Sequence, residues 1–307
     1  MLNKNYVNID KRGYFDRYGI FYGVLRGFFT TNPFHFIKDY ETKKVLWQRK
    51  ARKKIKKYLR YKDCNPDGLS FPKTKVPNNP IWFFWNKGIQ NAPDIVKKCY
   101  DSIKKYCNNE IIVLDDENIS KYIRFPDYIV EKVKNGNIPI AGYSDLLRFT
   151  LLEHYGGTWI DSTVYLTGNI SPVIFESDFF ALRNSMGLVE NPVLYPAWFL
   201  HSKKESDTIR QIRNVAYYYW LKEKHVIEYL LPNLIITELI SNTQVEKDMP
   251  YMNTDYSELL IRKLADRYNE EEYKWITSLT NIHKLSYKLK NDEVDGTFYD
   301  KIINDGK

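Results

Sequence analysis

The stretch Tyr143–Leu166, "YSDLLRFTLLEHYGGTWIDSTVYL", places two aspartates, an arginine and a Gly-Gly pair in a largely apolar run. Asp145 and Arg148 stand three residues apart, which makes them neighbours on one face of a helix. Leu147, Leu151 and Leu152 fall on its buried side. The spacing predicts a helix that starts with Ser144 as its N-cap and stops at Gly156-Gly157. "TWIDSTVYL" then reads as a strand interrupted by an acid, with Asp161 near its end. A helix that turns straight back into a strand is an α/β signature.

The upstream sequence extends this pattern. "IWFFW" (Ile81–Trp85) is a continuous apolar run, as expected of a strand covered on both faces. "APDIVKKCYDSIKKY" follows with Ile95, Val96, Cys99 and Ile103 at helical spacing and Pro93 in its first turn. "EIIVLDD" (Glu110–Asp116) reads as a second buried strand, so the three make a right-handed βαβ unit. "FPDYIVEKVKNG" is a further helix, ending near Gly136. Beyond Pro172 the pattern weakens, with helices expected over 205–223 and 255–268. Ligands of open α/β sheets sit beyond the carboxyl ends of the strands, and Trp85, Asp116 and Asp161 all fall there. An aromatic plane, an Asp–Arg pair and a strand-end acid suit a nucleotide diphosphate. The ring would stack a base, Asp145 would accept from ribose or sugar hydroxyls, and Asp161 would hold a divalent cation. Singly, each residue has a plainer account: Asp145 as a helix-start acid, Arg148 as the partner of Asp145 or Glu153, Trp85 as core. Their coincidence in one crevice is what points to a ligand.

Composition bounds the rest. The 307 residues are 43% hydrophobic and 27% charged, ordinary for a soluble globular chain. The three cysteines, Cys64, Cys99 and Cys107, imply neither a disulfide framework nor a metal site, and a reducing, cytoplasmic setting fits them best. "MLNKNYVNIDKRGYF" lacks the basic-then-apolar pattern of a secretory leader. "YGIFYGVLRGFF", the most apolar helical stretch, is too short to span a bilayer and contains Arg26. The net charge of +8 is concentrated: residues 43–62 hold 11 Lys or Arg and no acid, leaving a mildly acidic body. That segment, with Trp47, Ile55, Tyr58 and Leu59 among its cations, reads equally as a solvated connecting helix or as one lying on anionic lipid. Nucleic-acid binding ranks well behind both. Residues 62–80, rich in Pro, Asn and Asp, read as a linker. The division is a helical, basic extension over 1–79, a catalytic domain over 80–290 and a tail over 291–307. Trp198, His201 and Trp220 are possible sugar platforms, with core packing the better account of each.

"AGYSDLLRFTLLEHYGGTWIDSTVYLT" resembles the central motif of the capsular polysaccharide synthesis proteins, a branch of the family 32 glycosyltransferases. "IWFFWNKGIQNAPDIVKKCYDSIKKY" is similar to that family's opening strand and helix, and "NIHKLSYKL" to its closing motif. The three lie in the family's order and span about Pro80 to Lys288. The resemblance implies a GT-A type nucleotide-diphospho-sugar transferase fold. It also implies transfer of a sugar from a nucleotide donor, UDP-sugar first, usually with retention. Trp85 matches the base-stacking aromatic, and Asp145 and Arg148 match the pair beside the donor sugar. Asp161 matches the first acid of an Asp-x-Asp motif that holds Mn²⁺ or Mg²⁺. His283, Lys284 and Lys288 match the closing segment, whose cations would neutralise the diphosphate. The second acid is replaced by Thr163, a poor ligand for a hard cation. Asp161 would then bind metal loosely, or His283 and the lysines would carry most of the leaving-group charge. The acceptor would be a growing capsular or other surface glycan, lipid-linked at the inner membrane face. The alternative is a degenerate nucleotide- or glycan-binding protein without turnover.

Overall fold

The computed structural model describes residues 11–30, 40–184, 191–289 and 294–304. The expected extension at 1–10 and 31–39, and the tail at 291–293 and 305–307, lie outside them. Two helices come first, α1 (Lys11–Thr30), bent at Gly19, and α2 (Tyr40–Ile55). The chain continues through β1 (Ile81–Phe84), α3 (Asp94–Tyr106), β2 (Ile111–Leu114), α4 (Asp127–Lys134), α5 (Ile140–Tyr155), β3 (Gly157–Ile160) and β4 (Val164–Leu166). Next come α6 (Pro172–Glu176), β5 (Phe179–Ala181), β6 (Phe199–Ser202), α7 (Asp207–Lys222) and α8 (Leu231–Ile240). Four short helices follow, α9 (Gln244–Asp248), α10 (Thr254–Ser257), α11 (Leu259–Lys263) and α12 (Glu270–Leu279), before β7 (Ile282–Lys284) and α13 (Phe298–Asn304).

The central sheet runs β2-β1-β3-β6-β5. β1 is parallel to both β2 and β3, whereas β6 is antiparallel to β3 and β5. The protein is therefore a mixed α/β fold with a parallel centre, as the alternation of apolar runs and amphipathic helices predicts. All four side chains of β1 are buried, and so are those of β3. β2 differs from expectation: it lies at the sheet edge, so only Ile112 and Leu114 are buried. "TWIDSTVYL" is two strands rather than one. Asp161–Thr163 form a turn, closed by Val164 N–H to Asp161 C=O at 2.9 Å. β4 then leaves the main sheet to pair with β7.

The α5 helix begins at Ile140, after Pro139, a turn earlier than the Ser144 cap predicts. Asp145 therefore lies in the helix body, and its position owes nothing to the helix N-terminus. At the other end the Gly-Gly pair is dictated by sterics. Gly156 and Gly157 have φ of +72° and +100°. A Cβ on Gly157 would come within 2.3 Å of the Pro80 carbonyl oxygen, which accepts from Thr158 N–H at 2.8 Å. Only glycine lets β3 start against β1 this closely.

The basic segment is not a free amphipathic helix. Trp47, Ala51, Ile55 and Tyr58 are buried in the common core, and the Trp47 indole donates to Ile227 C=O at 3.2 Å. Arg52 pairs with Glu238 of α8, and Lys54 with Glu223 at the end of α7, 2.7 Å away. The apolar side chains expected to meet lipid are thus occupied by protein. α1 is the helix that exposes an apolar face, with Ile20 79% and Phe21 72% accessible and Val24 and Phe28 also exposed. Residues 62–80 are a strap held to the body. Ser70 bridges to Arg124, Phe71 stacks on His154, and Asn214 Nδ2–H donates to Lys62 C=O at 2.8 Å. No helix among the described residues is long and apolar enough to cross a membrane.

Gly157→Ala should destabilise the protein by about 2–4 kcal/mol, because it combines a left-handed backbone with a clash against main chain. Urea unfolding followed by circular dichroism measures it; an unchanged midpoint would contradict this reading of the turn.

Candidate active site

A cavity of about 540 Å³ opens where α5, the ends of β1 and β3, the start of α8 and the segment after β7 converge. That is within the usual range for a small-molecule site. Its wall includes Trp85, Asp145, Arg148, Asp161, Lys284 and Lys288. The sequence brings them together by simple rules. β1 ends at Phe84, so Trp85 stands at the strand's carboxyl end; the i,i+3 spacing aligns Asp145 with Arg148; and the turn after β3 presents Asp161.

Arg148 holds the centre. Its buried guanidinium lies 3.1 Å from Asp145 Oδ1 and 3.3 Å from Asp161 Oδ1, through the same nitrogen. It also donates to the carbonyls of Ala197 and Ser144 and lies 5.0 Å over the Trp159 ring. Asp161 is held from every side. Oδ1 accepts the Trp159 indole N–H at 2.9 Å, and Oδ2 accepts from Lys284 Nζ at 2.8 Å. Lys284 Nζ reaches Thr163 Oγ1 at the same 2.8 Å and lies over Trp198. Two carboxylates within salt-bridge distance of a common arginine are thereby driven in opposite directions. Burial raises the Asp145 pKa to about 7 against the pull of Arg148. Burial also opposes charge on Asp161, but Lys284 and Arg148 together outweigh it and hold that carboxyl below its usual range. Asp161 remains 24% accessible on the cavity side, so it is paired without being sealed.

Trp85 and Trp198 both line the cavity, and each has a buried indole N–H with no partner among the described residues. An unmet buried donor costs roughly 1–3 kcal/mol, which a bound ligand would recover. Trp85 also meets Tyr287 edge-to-face at 5.2 Å.

Of the residues expected from sequence, Trp85, Asp145, Arg148, Asp161, Lys284 and Lys288 share this cavity. His283 does not. On β7, alternate side chains face opposite ways, and Lys284 takes the cavity side. His283 is buried against Tyr165, its Nε2 is 3.0 Å from Thr167 Oγ1, and burial lowers its pKa to about 4. A neutral, enclosed imidazole cannot neutralise a diphosphate in the cavity. Asp116 is not on the wall either; its main chain pairs with Asn86, which is. Trp198 joins the wall, whereas His201 is buried with Nδ1 2.9 Å from Thr158 Oγ1, and Trp220 is core. The sequence reading missed Trp159, although the same alternation that faces Asp161 inward carries Trp159 with it. It also missed Tyr229 and Asn233 at the start of α8 and Tyr287 after β7, for which no local pattern exists.

The donor set does not fit the Mn²⁺ or Mg²⁺ that the resemblance implies. Among the described residues no group of three or more His, Cys, Asp or Glu side chains is placed to hold a metal ion. Asp161, the expected ligand, has both oxygens engaged by positive or N–H donors, and Thr163 points its hydroxyl at Lys284.

These observations define an α/β protein with a cavity that pairs indole faces with a cluster of fixed charges, a chemistry for an anionic ligand carrying a flat ring. The chain belongs to the capsular polysaccharide synthesis protein family, whose model matches residues 32–302. No curated protein matches it. Among solved structures, the chain is similar to the PaToxG glycosyltransferase at 16% identity and a TM-score of 0.40. That match covers 78% of this chain and 95% of the other.

The raised Asp145 pKa fixes a sign. A carboxyl that holds its proton more tightly when folded stabilises the fold at acid pH, and that contribution is lost as pH rises through about 7. Asp145→Asn should therefore be more stable than wild type at pH 8, by on the order of 1 kcal/mol, with the difference shrinking as the pH falls and gone only below the ordinary carboxylate value, at about pH 3.5. Thermal melting at the two pH values measures this; equal gains at both would show that the carboxyl is not the cause.

Proposed function

We propose that this protein is a glycosyltransferase of GT-A type, moving a sugar from a nucleotide-sugar donor, UDP-sugar first, to a growing capsular or other cell-surface glycan. Its family membership supports the pathway. The observation that carries the chemistry is the meeting of Trp85, the Asp145–Arg148–Asp161–Lys284 cluster and Lys288 on one cavity wall. Trp85 would take the base. Lys284 and Lys288 would face the diphosphate, whose negative charge grows as its bond to sugar C1 breaks. Asp145, ionised, would accept from sugar hydroxyls, while Arg148 holds both acids in register.

The reaction asks little covalent chemistry of the protein. The C1–phosphate oxygen bond breaks, the acceptor oxygen bonds to C1, and its proton passes to the departing phosphate. Attack on the face that the diphosphate leaves would retain configuration and needs no protein nucleophile. Preorganised cations and an ordered acceptor suffice.

The exposed surface supports docking to a membrane through α1. α1 carries Ile20, Phe21, Val24 and Phe28 along one stripe and packs beside α2, whose Arg49 and Lys53 are exposed. Apolar side chains flanked by cations suit the interface of an anionic bilayer. Arg17 of the same helix stacks over Tyr229, a residue of the cavity wall, at 5.1 Å. Docking through α1 would bring the cavity to a lipid-linked acceptor.

Two measurements test these readings. Incubation with UDP- and GDP-sugars should release the nucleoside diphosphate. Asp161→Asn should cut that release at least a hundredfold while the melting transition survives. Binding of nucleotide without any release would favour the degenerate alternative that Thr163 keeps open. Phe21→Ser/Val24→Ser should abolish co-sedimentation with phosphatidylglycerol vesicles and leave donor hydrolysis unchanged; undiminished sedimentation would reject α1 as the docking face.

A further inference from the structure

The residues around Asp161 do more than fail to hold a metal, because the place beside the two motif positions is filled. Lys284 Nζ stands 2.8 Å from Asp161 Oδ2 and 2.8 Å from Thr163 Oγ1, spanning the two side chains of the acid motif. This position is built rather than incidental. β7 pairs with β4 in the register Val164–Lys284, and Leu285 N–H donates to Thr163 C=O at 2.7 Å. The strand pair therefore fixes the lysine against the turn that carries Asp161. Its side chain is only 19% accessible, and Nζ lies over the Trp198 ring at 5.7 Å.

We infer that Lys284 is a built-in cation for the diphosphate of the donor, serving in the place where a two-acid motif would seat a divalent metal ion. The inference rests on the nucleotide-sugar reading above and adds to it that binding proceeds without metal. Two features support it. A divalent ion at Asp161 would have to displace Lys284 and then sit beside Arg148, 3.3 Å from the same carboxylate, so like charges oppose it. The hydroxyl at Thr163 accepts a hydrogen bond from an ammonium while adding no negative charge. Asp161 is shared between Lys284 and Arg148, so at this carboxylate one negative charge faces two cations. A fixed ammonium supplies charge-assisted hydrogen bonds to phosphate oxygens at no cost of recruiting an ion.

The probe is UDP, with GDP as a second, titrated calorimetrically into the full chain in EDTA and again in Mn²⁺. Wild type should bind with affinities within about twofold in the two buffers. Lys284→Met should lose at least tenfold in EDTA, and Lys284→Arg, which keeps the charge, should retain most of the affinity. Wild-type binding that appears only with Mn²⁺ overturns the inference and leaves the transferase reading standing. That arm decides the matter even if Lys284→Met fails to fold. Wild-type affinity in a folded Lys284→Met also overturns it. Failure of wild type to bind either nucleotide in either buffer instead sinks the nucleotide-sugar reading on which the inference rests.

Discussion

One guanidinium shared between two carboxylates sets the geometry on which the rest depends. Arg148 fixes the separation of α5 from the end of β3, because both Asp145 and Asp161 lie within salt-bridge distance of one of its nitrogens. A buried arginine is tolerated only where its donors are met. Here they are, by the two acids, by Ser144, and by the Ala197 carbonyl. Ala197 is positioned in turn by Asn233 of α8, whose Oδ1 accepts its N–H. The charge network therefore ties α5, the sheet and α8 together around the cavity, and the wall is as rigid as the packing behind it.

The same network separates two otherwise similar acids. Asp145 has one cation and a burial penalty that dominates, so it is close to half-protonated near neutrality. Asp161 has two cations and an indole donor, and it stays ionised. One carboxyl that can change its proton and one that cannot lie on either side of a fixed positive charge. In the proposed transferase, the first would suit hydroxyl recognition and the second would suit holding Lys284 in place.

Much of this was legible in the sequence because it follows local periodicity. The i,i+3 spacing of Asp145 and Arg148, the apolar runs of β1 and β3, and the Gly-Gly turn each encode their geometry within a few residues. The parts that were not legible depend on partners distant in the chain. An amphipathic helix such as α2 shows the same pattern whether its apolar side meets lipid or α8, and only the fold reveals that Trp47 and Ile55 are inside. "NIHKLSYKL" presents itself in sequence as one cationic unit, but a strand sorts neighbours to opposite faces, sending His283 into the core and Lys284 to the cavity. The parity was set by pairing with β4, which no reading of nine residues supplies. Ser144 looked like a cap because its hydroxyl side chain precedes the acid, yet the helix continues back to Pro139 and that hydroxyl faces Arg148 instead.

On the inference of a metal-free site, Thr163 is the partner of a lysine rather than a degraded metal ligand. With a carboxylate at that position, Lys284 would be flanked by two full negative charges and would have little attraction left for phosphate. A carboxylate pair without the lysine would repel phosphate outright and require a divalent ion to reverse the sign. A hydroxyl orients the ammonium through one 2.8 Å hydrogen bond and leaves its charge available. The turn, the strand pair and the lysine thus form one device, in which the neutral residue matters because it does not compete with the ligand.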